Sequence, residues 1–400
     1  MQQEIDDAVA ELYKDPAIRK FEEINGKDFN PNSTVQLRSL LFDYVGLNPT
    51  GKKTGTGAHS TDAEVLEALG EQSHIPGLIL NIRQKSKIKN TYLDKILPQL
   101  DRDSRLRTGF NLHGTSGRLS SSGKLNMQQL PRDNPIVKGC IKAAPGNKIV
   151  AMDLTTAEVY VAAVLAKDTA LMDVFKSGGN FHSSIAKKVF RLPCPVEEVA
   201  EKFGTQRQAA KAVTFGIMYG AGAAKISEQV TKDSGKPFSR ADAQDVIDEY
   251  FNAFHRLKQW ITDNQTFIKQ NGFIYSFFGR KRRLPNVAST DKGIQSHSIR
   301  SGLNFLVQSA ASDINLLGAI DMNAWIKANN KKARIFALVH DSILAEVPEG
   351  EVDEYMEKLA EFIQMDRGIA IPGAPVGCDF EIVHEDYSGG KFEKMYGNHI

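Results

Sequence analysis

Two aspartates stand where an acid is rarely placed without purpose. KIVAMD (148–153) is an apolar run that reads as a β-strand ending on Asp153, and RIFALV (334–339) and ILAEV (343–347) read as a hairpin separated only by His340, Asp341 and Ser342. Each run should bury its strand and leave an acid exposed at the end. A single such Asp is an ordinary turn former or helix cap. Two on neighbouring strands can do more. Magnesium favours oxygen ligands and often uses one or two carboxylates plus substrate phosphates. A pair of metals ~4 Å apart can activate an attacking oxygen and stabilise a leaving one in phosphoryl transfer.

A third element supplies charge of the opposite sign. In RQAAKAVTFGIMYG (207–220), Arg207, Lys211, Phe215 and Tyr219 recur every four residues and so share one helix face, cationic at one end and aromatic at the other. An amphipathic helix with snorkelling cations would give the same pattern. A nucleotide site gives it a chemical use, with cations for a triphosphate and a ring for the sugar and base. Gly216 and Gly220 would let other groups approach the backbone closely.

The elements that must position these residues follow from pattern. Residues 1–25 read as one polar amphipathic helix, followed after NGKDFNPNST by a second apolar-periodic segment; GKKTGTGAHSTD (51–62) reads as a mobile basic loop. Arg83, Lys85, Lys87 and Lys89 crowd seven residues, as a solvated face or a phosphate-binding one would. From about 106 the texture turns to Gly, Ser and Asn with short extended runs, and 165–275 is helical by period, broken at SGGN (177–180) and LPCP (192–195).

Composition excludes several classes. Lys and Arg number 50 against 48 Asp and Glu, a net charge of +2, so any nucleic-acid surface must come from local segregation of charge. Cys140, Cys194 and Cys378 lie too far apart for a zinc or disulfide framework, which fits a reducing, cytoplasmic compartment. No run approaches the ~20 apolar residues of a membrane span, and the acidic N-terminus does not read as a signal peptide.

Five segments in order resemble the family A DNA polymerases, the group containing bacterial DNA polymerase I. R-x3-K-x3-F-G-x2-Y-G is similar to motif B, DLTTAEVY with Asp153 and Glu158 to motif A, and VHDS with His340 and Asp341 to motif C. TSGRLSSSGKLNMQQLP (115–131) and RSGLNFLVQSAASD (300–313) resemble two further family segments. The resemblance covers most of 25–390. It implies an α+β right-hand fold with an antiparallel palm sheet: a helical thumb at 1–105, palm at 106–165 and 276–400, and helical fingers at 166–275.

It also implies roles. Asp153 and Asp341, with the Leu154 carbonyl, would hold two Mg²⁺ ions, Mn²⁺ being able to substitute. Arg207, Lys211 and His182 would meet the incoming dNTP, Lys211 also donating a proton to the leaving pyrophosphate. Phe215 would pack on the nucleotide, and Glu158 and Tyr219 would crowd the place of a ribose 2′-hydroxyl. Arg118, Asn126, Gln128, Arg300, Asn304, Gln308 and His340 would contact primer-template DNA, and the cations at 83–89 would grip its phosphates. Three positions depart from the family pattern: Tyr160 for the usual Arg, Thr214 for Asn, and Ser342 for Glu. With two aspartates intact, the position of Ser342 is expected to tune the site from outside the metal ligands.

The expected activity is DNA-directed DNA polymerisation. The chain starts where the thumb should, so the expectation is that proofreading is absent, that a separate exonuclease or other replication protein supplies it, or that the sequence is a truncated piece of a longer protein. The departures suggest a bacteriophage branch, acting in an infected bacterial cell. Two rivals remain at this level: a single-subunit RNA polymerase-like enzyme, against which Glu158 argues, and a catalytically silent DNA-binding subunit.

Overall fold

The computed structural model describes residues 1–112, 114, 116–123, 126–130, 135–383, 387 and 391–396; for 135 and 391–396 only the backbone is considered. The segment 115–131 is therefore described only in part. The chain divides into two compact units, one formed mainly by residues 1–109 and the other by Phe110–Ser122 and Asn126 onward.

The first unit is helical: Gln2–Leu12, Pro16–Asn25, Thr34–Ser39, Ala63–Leu69 and Ile75–Ile88 pack around Leu12, Ile18, Phe21, Leu37 and Ile79. The expected single helix over 1–25 is two. Pro16 occupies the first position of the second helix, where its missing N–H costs nothing, and the Asp15 carboxylate accepts from Ala17 N at 2.8 Å. The loop after residue 51 closes on itself, with Ser60 N donating to Lys52 O and Thr54 N to Ala58 O.

The basic run at 83–89 is largely committed within the chain. Arg83 donates to Pro31 O (3.2 Å) and Thr61 O (2.8 Å), Lys85 pairs with Glu4 and Lys89 with Asp94. Arg83 is thus a structural tie rather than a phosphate grip.

The second unit is built on a five-stranded antiparallel sheet of order β6-β7-β3-β8-β9, where β3 is Asn147–Thr155, β6 Arg334–Val339, β7 Ser342–Pro348, β8 Gly377–Val383 and β9 Lys391–Tyr396. Two short ribbons accompany it: β1 (Gly109–Asn111) with β2 (Ser120–Ser122), and β4 (Phe273–Tyr275) with β5 (Lys281–Arg283). Ile149–Met152 are buried in succession on the central strand, and Asp153 is the first residue to emerge. β3 continues two residues past that acid. Thr156 then takes a left-handed φ of 50° and turns the chain into the helix Ala157–Ala166, whose residues are nearly all buried.

Helices Thr169–Lys176, Phe181–Phe190, Gly204–Met218, Ala223–Ser234, Arg240–Ala253 and His255–Asn271 follow, and a 37-residue helix, Lys292–Ala328, runs back along the core. Among the described residues no helix is long and apolar enough to cross a membrane. Tyr160 has a plain packing role. Its buried hydroxyl donates to Ala374 O (2.9 Å) and accepts from Ile371 N (2.7 Å), tying the 157–166 helix to the 371–374 turn.

Candidate active site

The β6–β7 hairpin turns on two residues, not three: Val339 pairs with Ser342, leaving His340 and Asp341 at the tip. His340 takes a left-handed φ of 55°, an unusual conformation for a non-glycine residue, and this places Asp341 beside β3. Leu154 N donates to Asp341 O at 3.3 Å, so the backbones of the two acidic positions are adjacent. Asp153, Leu154 and Asp341 line one cleft of about 520 Å³, together with His340 and Ser342.

The donor set suits a hard cation. It consists of the Asp153 and Asp341 carboxylates, and no group of three or more His, Cys, Asp or Glu that could hold a metal occurs among the described residues. A metal here would complete its shell with substrate phosphate and water.

Arg118 is the unforeseen member of this site. Its Nη2 donates to Asp341 Oδ1 at 3.0 Å and to Glu158 Oε1 at 3.3 Å, so a guanidinium bridges one expected metal ligand and the expected sugar-side acid. Glu158 is only 9% exposed; burial raises its pKa, opposed by the Tyr219 hydrogen bond and by Arg118. Tyr219 donates its hydroxyl to Glu158 Oε2 at 2.6 Å, and burial with that bond raises the phenol well above its usual range. Glu158 and Tyr219, each expected near the nucleotide sugar, are thus in direct contact with one another.

Ser342 lies beside both acids, next to Asp341 in the chain and opposite Asp153 across the sheet. Its hydroxyl donates to the Asp153 carboxylate, consistent with the register that puts the two residues opposite each other. It touches the acid rather than the place of a metal, the position from which a residue outside the metal ligands can tune them.

The 204–218 helix carries Arg207, Lys211 and Phe215, and Tyr219 caps its C-terminal end. Lys211 is exposed. Arg207 is held by Asn180, whose Oδ1 accepts from Nε and Nη2 at 3.4 and 3.3 Å and also caps the 181–190 helix through Ser183 N. Thr214 donates to Ala210 O within its own helix, a local role for that departure from the family pattern. Gly216 faces Ala221 and Ile226, so its bareness serves packing within the unit. Gly220, at φ 68°, lies on the Arg300 stem; a Cβ there would come within 2.3 Å of Arg300 Cδ.

His182 is only 1% exposed, its ring lies 5.4 Å from that of Phe215, and neither ring nitrogen has a hydrogen-bond partner. In this arrangement it is enclosed rather than open to a ligand. Burial, then Lys211 and Arg207, push its pKa down to about 3. The unfolded value is near ~6.5, so below that pH the unfolded chain takes up a proton that the folded chain refuses. Stability is therefore complete above pH ~6.5 and falls as pH drops towards 3, by at most ~1.4 kcal/mol per unit from this group. His182→Leu should flatten that dependence. Urea midpoints at about pH 5 and pH 7 would lie closer together than in the parent, and an unchanged gap would assign the slope to other groups.

Of the expected DNA contacts, Arg300, Asn304 and Gln308 lie at successive i, i+4 positions of the 292–328 helix, so they share a face, and Asn304 Oδ1 is buried without a partner. Gln128 is otherwise engaged. It accepts from Ser121 N and donates to Leu119 O (2.7 Å) and Leu338 O (3.4 Å), linking residues 119–121 to β6. Asn126 Oδ1 accepts from Gln128 N as the cap of the short turn Met127–Gln129. His340 lines the metal-side cleft and a second depression of about 290 Å³ that also includes Arg118 and Gln128.

The model of the family described as DNA polymerase family A matches residues 1–382. The chain belongs to DNA polymerase family A. It is 50% identical over 408 residues to the DNA polymerase of Escherichia phage T5, covering 96% of this chain and 48% of that protein. It is 34% identical to the thermostable DNA polymerase I of Thermus thermophilus, covering 89% and 42%. Among solved structures it resembles the POL domain of Pol1 from M. smegmatis in complex with DNA primer-template and dNTP, with a TM-score of 0.78 and 26% identity over 97% of this chain and 66% of that one. The chain thus spans about half the length, or less, of these curated relatives. Family A DNA polymerases are metal-dependent. The expected antiparallel sheet with helical surroundings is borne out by this fold.

Proposed function

We propose that this chain is the polymerising core of a DNA-directed DNA polymerase, adding dNTPs to a primer 3′ end on a DNA template. The convergence of Asp153, Leu154 and Asp341 on one cleft is the observation that carries the reading. Two Mg²⁺ ions held there would neutralise phosphate charge and activate the primer hydroxyl. Arg207 and Lys211 bind the triphosphate, and Lys211 supplies the proton taken by pyrophosphate. Phe215 covers the nucleotide, and His182, buried against the Phe215 ring, supports that ring rather than touching phosphate. Arg118, Arg300, Asn304, Gln308 and His340 face primer-template, where minor-groove acceptors report pair shape almost independently of sequence.

In this reading residues 1–105 are the thumb, 106–165 with 276–400 the palm, and 166–275 the fingers. Similarity to a phage enzyme supports action in the cytoplasm of an infected bacterium.

Glu158 carries sugar selection in this scheme, held in place by Tyr219. Primer extension with dNTPs and rNTPs compared tests both the activity and its selectivity. The parent should extend with dNTPs and discriminate strongly against rNTPs. Glu158→Ala should raise the rNTP/dNTP ratio at least about tenfold, a change of ~1.4 kcal/mol in relative barriers. An unchanged ratio would move selection elsewhere, and rNTP preference in the parent would favour an RNA polymerase.

A further inference from the structure

The β4–β5 ribbon lies outside the site described above. Its register pairs Phe273 with Arg283, Ile274 with Arg282, and Tyr275 with Lys281. Strand alternation therefore separates two faces. Ile274 is buried, and Arg282 is half-buried with its guanidinium on Ser301 and 5.6 Å from the Phe305 ring centre. That face holds the ribbon to the 292–328 helix. The other face presents Phe273, Tyr275, Lys281 and Arg283.

On this outer face Phe273 is partly exposed, and Lys281 and Arg283 are exposed. Tyr275 is 50% exposed, and Phe267 extends the aromatic surface with its ring 5.8 Å from that of Phe273. Lys281 Nζ sits 4.0 Å from the Phe273 ring centre and 5.4 Å from that of Tyr275. Exposed rings cost free energy in water unless a partner uses them. Lys281 and Arg283 also border a depression of about 470 Å³ that contains His297. Aromatic faces interleaved with cations match a strand whose bases are free to stack and whose backbone is anionic.

The ribbon is also tied to the catalytic cleft. Arg280, at its turn, pairs with Asp313 at 3.1 Å and lies against Gly117, where a Cβ would come within 2.5 Å of the guanidinium. Gly117 immediately precedes Arg118, the residue bonded to Asp341.

We infer that the outer face of the β4–β5 ribbon is a stacking platform for single-stranded DNA, the unpaired part of the same template that the cleft copies. The inference rests on the DNA-polymerase reading for the origin of that strand. Tyr275 and Phe273 stack bases, while Lys281 and Arg283 neutralise phosphates.

The test is binding by the full chain, without nucleotide, to fluorescent oligodeoxythymidylate and to primer-templates carrying a long template overhang or none. Tyr275→Ala should weaken binding to both the oligonucleotide and the overhang substrate about fivefold or more, the size of one lost base–aromatic stack. Blunt duplex should bind unchanged. Lys281→Gln should lower affinity for the overhang and reduce its salt dependence. An abasic overhang should weaken binding by the parent and leave Tyr275→Ala little affected. Equal loss on blunt duplex, or no loss on any substrate, overturns the platform. Because oligodeoxythymidylate binding needs no catalysis, it is read separately from primer extension, where failure of the parent would count against the polymerase reading instead.

Discussion

Asp341→Asn is expected to reduce single-turnover primer extension by about 10³-fold or more while leaving primer-template affinity within about tenfold. The substitution keeps shape and removes charge at the tip of the β6–β7 hairpin, where the acid faces the cleft beside Leu154. A metal contributes several kcal/mol to phosphoryl transfer, and each ~1.4 kcal/mol is tenfold in rate. The ion pair with Arg118 is lost as well, but both partners are partly exposed, so its contribution to stability is only ~0–1 kcal/mol. A thermal midpoint close to the parent's would therefore accompany the lost activity. Asp153→Asn should behave alike, with the added loss of charge on the acceptor of Ser342. Extension by Asp341→Asn near the parental rate would remove this residue from the metal site.

Lys211→Ala is expected to lower the rate of the chemical step by ~10²–10⁴-fold, the range for a positioned proton donor. Lys211 is exposed on the same helix face as Arg207 and Phe215. Arg207, in contrast, is oriented by Asn180. Lys211→Arg should retain nucleotide affinity better than catalysis, since guanidinium keeps the charge but gives up a proton reluctantly. Rapid-quench measurement of the maximal rate and of apparent dNTP affinity separates the two. A loss confined to affinity would leave Lys211 as a phosphate ligand only.

The parts of this molecule legible in sequence are those whose signal is local. The apolar runs flanking Asp153 and Asp341 announced three strands, and their pairing follows from burial of the runs themselves. The four-residue period from Arg207 to Tyr219 announced the helix face, although Tyr219 stands just beyond its end. What was not legible depended on residues distant in the chain. Arg118 reaches Asp341 across 223 positions, a pairing no spacing encodes. Gln128 looked available for DNA, yet its amide is occupied by backbone groups of Leu119, Ser121 and Leu338. The cations at 83–89 shared a local pattern, but partners elsewhere in the unit decide which of them are free. The helix over 1–25 was misread for a local reason, since Asp15–Pro16 is a cap and restart that an amphipathic period can run straight through.

The 292–328 helix puts unrelated duties on one rigid register. Arg300, Asn304 and Gln308 present one polar row, Ser301 holds the ribbon through Arg282, and Asp313 holds its turn through Arg280. Each residue added to or removed from a helix rotates everything beyond it by about 100° and shifts it by ~1.5 Å. A single-codon insertion between Ser301 and Asn304 would swing Asn304, Gln308 and Asp313 together away from their present neighbours while leaving Arg300 where it is. Point changes along this helix can therefore accumulate one at a time during divergence, whereas length changes within it cannot, and natural variation in chain length should fall in the connecting loops instead.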